Sequence, residues 1–288
     1  MKNISRKSAS ARLATTTAVL ALLGGVFGGS QALAQIASTK HNLGSLGTGA
    51  NSFSGTAELC VFCHTPHGAD TTASVPLWNR TLGGSTYTTY NSLGTSSLDG
   101  STVPVGSVSI ACLSCHDGAQ AMNTIINQPG SGLTNAAYAA GTWGASTAVV
   151  GAGDGRLKAG IVTNLGVDLR NDHPIGIQYG GGPKTTVPAA GSDYTSFNDA
   201  DFKDARSASL NGNSVWWVDT GAQSNGRQKT DMLLYTRTGA TATNGSVLTG
   251  AQPFVECASC HDPHTAANPT FLRTSNANSA VCLACHTK

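Results

Sequence analysis

The eight cysteines of this sequence follow one spacing four times. Every one belongs to a Cys-x-x-Cys pair with a histidine directly after it: Cys60-Val-Phe-Cys63-His64, Cys112-Leu-Ser-Cys115-His116, Cys257-Ala-Ser-Cys260-His261 and Cys282-Leu-Ala-Cys285-His286. On one turn of helix, thiols three residues apart lie on the same face and can form thioethers to the two vinyl groups of one porphyrin. The histidine that follows reaches the iron as proximal ligand. The pattern predicts four covalently bound c-type haems.

Two other chemistries also use paired cysteines. An exported chain with eight cysteines could form a disulfide scaffold, and Cys-x-x-Cys pairs can build zinc sites. Neither chemistry requires a histidine directly after the second cysteine of every pair. Since all four pairs have one, haem attachment is the favoured interpretation.

The remaining histidines equal the predicted irons in number. Besides the four proximal residues, the eight histidines of the chain include four candidate distal ligands, His41, His67, His173 and His264. Two imidazoles per iron leave no open coordination position, so such a haem changes oxidation state without binding a substrate. The count favours an electron-transfer protein over an enzyme, and no catalytic residue is predicted.

His67 and His264 share one sequence context. Each follows a proximal histidine by three residues, in Cys-His-Thr-Pro-His and Cys-His-Asp-Pro-His. Three residues are too few to pass around a porphyrin to its opposite face, so each is predicted to ligate a haem other than its neighbour. The preceding proline has a fixed φ and turns the chain away from that neighbour. His41 lies near the predicted mature N-terminus, where a flexible segment is the usual expectation.

The first 34 residues have the pattern of a secretory signal peptide. Four basic residues precede or border an apolar run from about Ala18 to Phe27, and Ala32-Leu-Ala34 fits a cleavage site. The run is shorter than the roughly 20 apolar residues of a membrane span, so we expect a secreted chain without one. The remainder has 13 basic against 15 acidic residues, so no nucleic-acid partner is expected.

The composition indicates a fold that is organised by its cofactors. Only 11% of residues are charged and 6% are aromatic, and there are 35 glycines, which leaves side chains for only a thin core. We predict a mostly irregular multihaem cytochrome fold with few short helices, short β-strands and no amphipathic helix longer than two turns. The predicted regions are the signal peptide at 1–34, an N-terminal dihaem region at 35–125, a haem-free Gly/Ser/Thr-rich insert with one distal histidine at 126–250, and a C-terminal dihaem region at 251–288.

One hairpin is predicted inside the insert. Ser214–Thr220 and Thr230–Arg237 are rich in strand-forming residues and flank an Asn225-Gly226 turn signal. Two such runs around Asn-Gly are typical of a β-hairpin.

These motifs and their flanks resemble the secreted multihaem c-type cytochromes, most of all the tetrahaem OmcE-type members that polymerise into extracellular filaments, or nanowires. The resemblance rests on the four haem motifs, on Lys40-His-Asn-Leu-Gly, on Asp172-His-Pro-Ile-Gly, and on the ending from Phe271 to His286. It does not extend to the insert. It implies bis-histidine haems, mostly irregular backbone, alternating stacked and T-shaped haem pairs, and one histidine donated to a haem of the next subunit.

From the resemblance we expect identical subunits joined head to tail, with His41 as the candidate ligand to a neighbour's haem. An intrachain role for His41 is the alternative. Other multihaem cytochromes or extracellular acceptors are the expected redox partners, and the expected location is extracellular or at the cell surface, otherwise periplasmic. Two alternative functions remain: a monomeric periplasmic tetrahaem carrier, and a multihaem reductase of a small oxyanion, which would need a haem without a distal ligand.

Overall fold

The computed structural model describes residues 35–47, 51–130, 135–144, 154–172, 174–184, 194–221 and 226–287. From Ile36 onward the chain forms one compact unit. The predicted signal peptide at 1–34 and the predicted ligand His173 lie outside the described residues. No helix in these ranges is long and apolar enough to cross a membrane.

The α-helices of the described ranges are short. They are α1 (Ser107–His116), α2 (Ala136–Ala139), α3 (Cys257–Cys260) and α4 (Ala280–Leu283). The ten residues of α1 make nearly three turns, but the helix is not amphipathic, so α1 does not contradict the expectation of no amphipathic helix longer than two turns. The helix lacks an amphipathic pattern because small and apolar residues surround its axis, and Ser109 and Ser114 are buried along with Ala111 and Leu113. Single 3₁₀ turns lie at Gln35–Ser38, Tyr90–Leu93, Tyr179–Gly181, Pro269–Phe271 and Ala277–Ser279.

Six strands form one antiparallel sheet in the order β1-β6-β5-β4-β3-β2. The strands are β1 (Ile177–Gln178), β2 (Tyr194–Thr195), β3 (Ala205–Leu210), β4 (Asn213–Val218), β5 (Met232–Thr238) and β6 (Ala251–Val255). Asn211 and Gly212 join β3 to β4 with positive φ at both positions, the pattern of a type I′ turn. Strand β6 ends one residue before α3, so the sheet fixes the start of the third motif.

The hairpin predicted within the insert is confirmed. Strands β4 and β5 pair antiparallel, with Trp216 opposite Leu234. The connection runs from Val218 to Met232 and is longer than a two-residue turn; Asn225 lies outside the described residues. The Asp231 carboxylate orders this connection by accepting hydrogen bonds from the backbone N–H groups of Thr220 and Gln228.

Two small clusters of apolar side chains make up most of the core. The N-terminal cluster consists of Leu43, Phe53, Val61, Phe62, Met122, Tyr138 and Leu157. The C-terminal cluster packs on the sheet and consists of Tyr179, Phe197, Ala205, Val218, Met232, Leu234 and Ala284. Cys63 and Cys115 lie against the first cluster, and Cys260 and Cys285 against the second. Short helices, short strands and mostly irregular backbone confirm the predicted fold class.

Candidate haem-binding sites

The first motif lies in a turn that a return segment of chain holds in place. The backbone N–H of His64 donates to the carbonyl of Cys60 at 2.7 Å. Its imidazole Nδ1 lies 2.7 Å from the carbonyl oxygen of Pro76, twelve residues on. A nitrogen facing a carbonyl must be the donor, so in the neutral ring the lone pair is on Nε2, the nitrogen that can bind a metal. We call the segment Cys60–Arg80 the first loop.

The third motif repeats this arrangement in the segment Cys257–Arg273, which we call the third loop. Nδ1 of His261 lies 2.7 Å from the carbonyl oxygen of Thr270, nine residues on. Two backbone bonds also recur. Thr65 N donates to Leu77 O at 2.9 Å in the first loop, as Asp262 N donates to Phe271 O at 2.8 Å in the third. The sequence reveals the shared Cys-His-x-Pro-His but not the shared return segment, because the return segments differ in residues and in distance along the chain.

The second motif differs from both because it lies on α1. Nδ1 of His116 lies 2.7 Å from the carbonyl oxygen of Thr163, so the same tautomer is fixed by a different part of the chain. Within α1, Leu113 is fully buried. Three of the four proximal histidines therefore present Nε2 in the same way.

Two of the candidate distal histidines lie opposite proximal ones. The ring centroids of His64 and His264 are 6.2 Å apart with an interplanar angle of 20°. Those of His41 and His116 are also 6.2 Å apart, at 74°. With metal–imidazole bonds of about 2 Å and ring radii of about 1.1 Å, imidazoles on opposite faces of one haem have centroids roughly 6 Å apart. Both centroid distances match this separation.

His41 is held firmly in its own chain. Its imidazole is hydrogen-bonded to the backbone of Pro263 and stacks on Phe271, with centroids 4.4 Å apart and planes at 11°. Burial, followed by the charge of His116, lowers the pKa of His41 to about 4. The ring is therefore neutral at neutral pH, which is the form that binds a metal. This placement favours the intrachain alternative for His41.

The other predicted ligands are placed differently. His67 is exposed, and its carbonyl accepts hydrogen bonds from Thr65 Oγ1 and Asn127 Nδ2. His286 lies beside Phe202, with ring centroids 4.4 Å apart. His67 therefore has a fixed backbone at an exposed position of the loop.

The cysteines place the four motifs in chain order. Burial, and then the neighbouring Cys115, raise the pKa of Cys63 to about 12, so motifs one and two are adjacent. The thiols of Cys112 and Cys257 hydrogen-bond one another, which joins motifs two and three. Burial and then Cys260 raise the pKa of Cys285 to about 12, which joins motifs three and four. All eight cysteines are free thiols in the structure.

A buried network of hydrogen bonds and one ion pair connects motif two to motif three. Sequence patterns do not reveal this network. Ser109 Oγ on α1 donates to Glu256 Oε2 at 2.6 Å and accepts from the backbone N–H of Cys257 at 3.0 Å. Arg237 forms an ion pair with the same carboxylate. Burial nevertheless raises the pKa of Glu256. The network fixes α3 against α1 at the point where two motifs meet.

The comparison with known families supports haem binding at the C-terminal pair. Residues 252–288 match the family model described as the doubled CXXCH motif. No curated protein matches the chain. The doubled motif is that of c-type cytochromes, which bind haem c through two thioethers and carry electrons. The matched segment contains both the third and the fourth motifs.

Proposed function

We propose that this protein is a secreted tetrahaem c-type cytochrome that transfers electrons and does not act as an enzyme. The two imidazole pairs at 6.2 Å carry the proposal, because each pair fits an iron with both axial positions filled. His64 with His264, and His116 with His41, would hold the first and second haems. When bound, these haems supply a one-electron couple, and the chain's histidines leave no axial position for a substrate.

The order of the motifs supports a linear path for electrons. Consecutive motifs are adjacent at Cys63 and Cys115, at Cys112 and Cys257, and at Cys260 and Cys285. A hydrogen bond links Cys112 to Cys257, and charge interactions link the other two pairs, so the attachment points of successive haems are near one another. The proposed path therefore runs from the first motif through the second and third to the fourth.

His173 and His67 are the remaining proposed ligands, for haems at His261 and His286. The position of His264 in the third loop indicates which haem His67 of the first loop would ligate. His264, three residues after the proximal histidine of the third loop, lies against His64 of the first loop. His67 occupies the same place in the first loop and is exposed, as His264 is, but among the described residues no imidazole lies opposite it. We infer that His67, like His264, ligates a haem attached at a different motif, and that this motif belongs to another copy of the chain.

We therefore propose that subunits join head to tail through His67 rather than His41. His67 of one copy would ligate the haem at His286 of the next, near the C-terminal end of the described chain. Such a contact is heterologous and does not close, so it propagates a filament. The competing assembly is a monomeric periplasmic carrier.

Haem number and spin state test the proposal of four bis-histidine haems. We expect intact mass and peptide mapping to show thioethers at all eight cysteines, and electron paramagnetic resonance to show only low-spin ferric iron in the assembled protein. Fewer than four haems would contradict the count. A high-spin component in the assembled protein would instead favour the multihaem reductase.

Assembly of a His67→Ala variant tests the proposed head-to-tail contact through His67. We expect soluble protomers with four covalent haems, one of them high-spin and able to bind carbon monoxide, while the wild type forms filaments in electron micrographs. The control is Thr71→Ala, a substitution at an exposed position of the same loop, which should leave filaments intact. Normal filaments from His67→Ala would reject the intersubunit ligand, and a wild-type monomer with four low-spin haems would establish the periplasmic carrier.

A further inference from the structure

Arg80 is the only lysine or arginine that is buried among the described residues, with an exposed fraction of 0%. Its guanidinium donates to four uncharged oxygens. Nε donates to Ser114 Oγ at 3.1 Å, Nη1 to Met122 O at 2.7 Å, and Nη2 to Ser114 O and Ala121 O, both at 3.0 Å. Protein atoms enclose the group on all sides, so it has no direct contact with a porphyrin.

Arg80 lies between the first two motifs. The residue before it, Asn79, bonds the first motif twice: its backbone N–H donates to Cys63 O at 2.9 Å, and its Nδ2 donates to Val61 O at 2.6 Å. The guanidinium itself binds Ser114, which lies between the two cysteines of the second motif. One dipeptide therefore spans two haem attachment points.

The charge of Arg80 has no carboxylate partner within ion-pair distance in the described ranges. Asp117, which follows the second motif, accepts hydrogen bonds from Ser85 and Tyr87 instead. The arginines near the later motifs are paired, since Arg237 lies on Glu256 and Arg273 lies 3.9 Å from Asp262. Among the described residues, a buried cation without an ion-pair partner therefore lies only at the N-terminal pair of motifs.

We propose that Arg80 raises the reduction potential of the haems at the first and second motifs. Reduction adds one negative charge to a haem, and a nearby cation stabilises that charge. The interaction is strong because the protein interior has a low dielectric constant and excludes salt. Arginine serves this purpose because it stays protonated when buried. The proposal rests on haem binding at these motifs, as proposed above.

Redox titration of holoprotein variants tests this role. We expect Arg80→Gln to lower two of the four potentials and to leave the other two unchanged, while Arg80→Lys restores both. The matched control is Arg156→Gln, which removes an exposed arginine and should shift none of them. The difference in reduction potential between the wild type and Arg80→Gln should persist when the ionic strength is raised. Four attached haems with unchanged potentials in Arg80→Gln, or equal shifts in all four, would overturn the proposal.

A second variant covers the case in which Arg80→Gln does not fold. Ser114→Asp would place a carboxylate beside Nε of Arg80 and neutralise the charge without removing the guanidinium. We expect the same two potentials to fall, and unchanged potentials in this variant would overturn the role of the charge. Failure of the haem proposal itself would be seen separately, as wild-type peptides of the first two motifs without thioether-bound haem.

Discussion

The first and third loops have the same backbone framework and different side chains on their return segments. Asn79 N donates to Cys63 O at 2.9 Å in the first loop, and Arg273 N donates to Cys260 O at 2.8 Å in the third. The preceding residues also correspond, since Leu77 and Phe271 both have positive φ, at 57° and 62°. The framework fixes the proximal imidazole in both loops. The side chains on it decide what each loop contacts.

The two loops differ in whether the side chains at corresponding positions contact histidines of other parts of the described chain. In the third loop, Phe271 stacks on His41, and His264 lies opposite His64. In the first loop, Leu77 is 51% exposed, and no imidazole of the described residues lies opposite His67. The third loop therefore contacts histidines of the first motif and of the N-terminal segment, whereas the equivalent side chains of the first loop make no such contact within the described residues. The difference shows that a repeated loop can act as an internal connector at one place and as an interface at another.

The largest expected effect comes from exchanging the distal ligand of each loop. His264→Met should leave four covalent haems but give the first haem a Met/His axial pair. That change raises its potential, by on the order of 0.1 V within the roughly 0.8 V range that axial ligands span. His67→Met should change no potential in isolated protomers, because its proposed haem belongs to a neighbour. Voltammetry and near-infrared ligand bands measure both, and an unchanged His264→Met spectrum would contradict the His64–His264 pair.

The sequence predicted the chemistry better than the architecture. The Cys-x-x-Cys-His spacing predicts haem attachment because the ligands are local, and alternating strand residues predicted the β4–β5 hairpin. Helix α1 was missed because it is apolar on all sides. The partners of His64, His116 and Arg80 depend on contacts between residues far apart in the chain, as between Arg80 and Ser114, and no local pattern encodes those. His41 was expected at an interface because it lies near a terminus and because the resemblance implies a histidine donated to the next subunit.

An intermediate effect on the free energy of unfolding is expected from replacing Asn79 or Arg273, the polar residues at corresponding positions of the two return segments. Asn79 is fully buried, and its amide bonds Val61 O and both backbone groups of Asn127. Asn79→Ala leaves these groups unsatisfied and should lower the free energy of unfolding by about 2–4 kcal/mol. Arg273 bonds Ala258 O and Lys229 O and lies 3.9 Å from Asp262; water can replace it at the exposed Lys229, and Asp262 remains partly exposed.

Arg273→Ala should therefore cost only about 1–2 kcal/mol. Urea unfolding of the two holoprotein variants, with haem content checked by absorbance, measures the difference. An equal or larger loss in Arg273→Ala would show that the first loop does not depend on its buried amide.

The smallest expected effect concerns Leu77 and Phe271, which occupy corresponding positions of the two loops and both have positive φ. A non-glycine residue in the left-handed region costs roughly 1–2 kcal/mol, and glycine relieves that strain while increasing the entropy of the unfolded chain. Leu77→Gly should therefore raise the free energy of unfolding by about 0.5 kcal/mol, because the exposed leucine side chain contributes little. Leu77→Ala keeps the strain and is the control. Phe271→Gly gains the same backbone relief but loses the stack on His41, which is worth about 1 kcal/mol beyond its buried area.

Phe271→Gly should thus be less stable than the wild type and should bind carbon monoxide faster at the second haem, since His41 loses the ring that holds it against His116. The urea midpoints of the three variants and carbon monoxide binding kinetics check both effects. If Phe271→Gly and Leu77→Gly changed stability in the same direction and by the same amount, the stacked ring would not stabilise His41, and the two loops would differ only in their distal histidines.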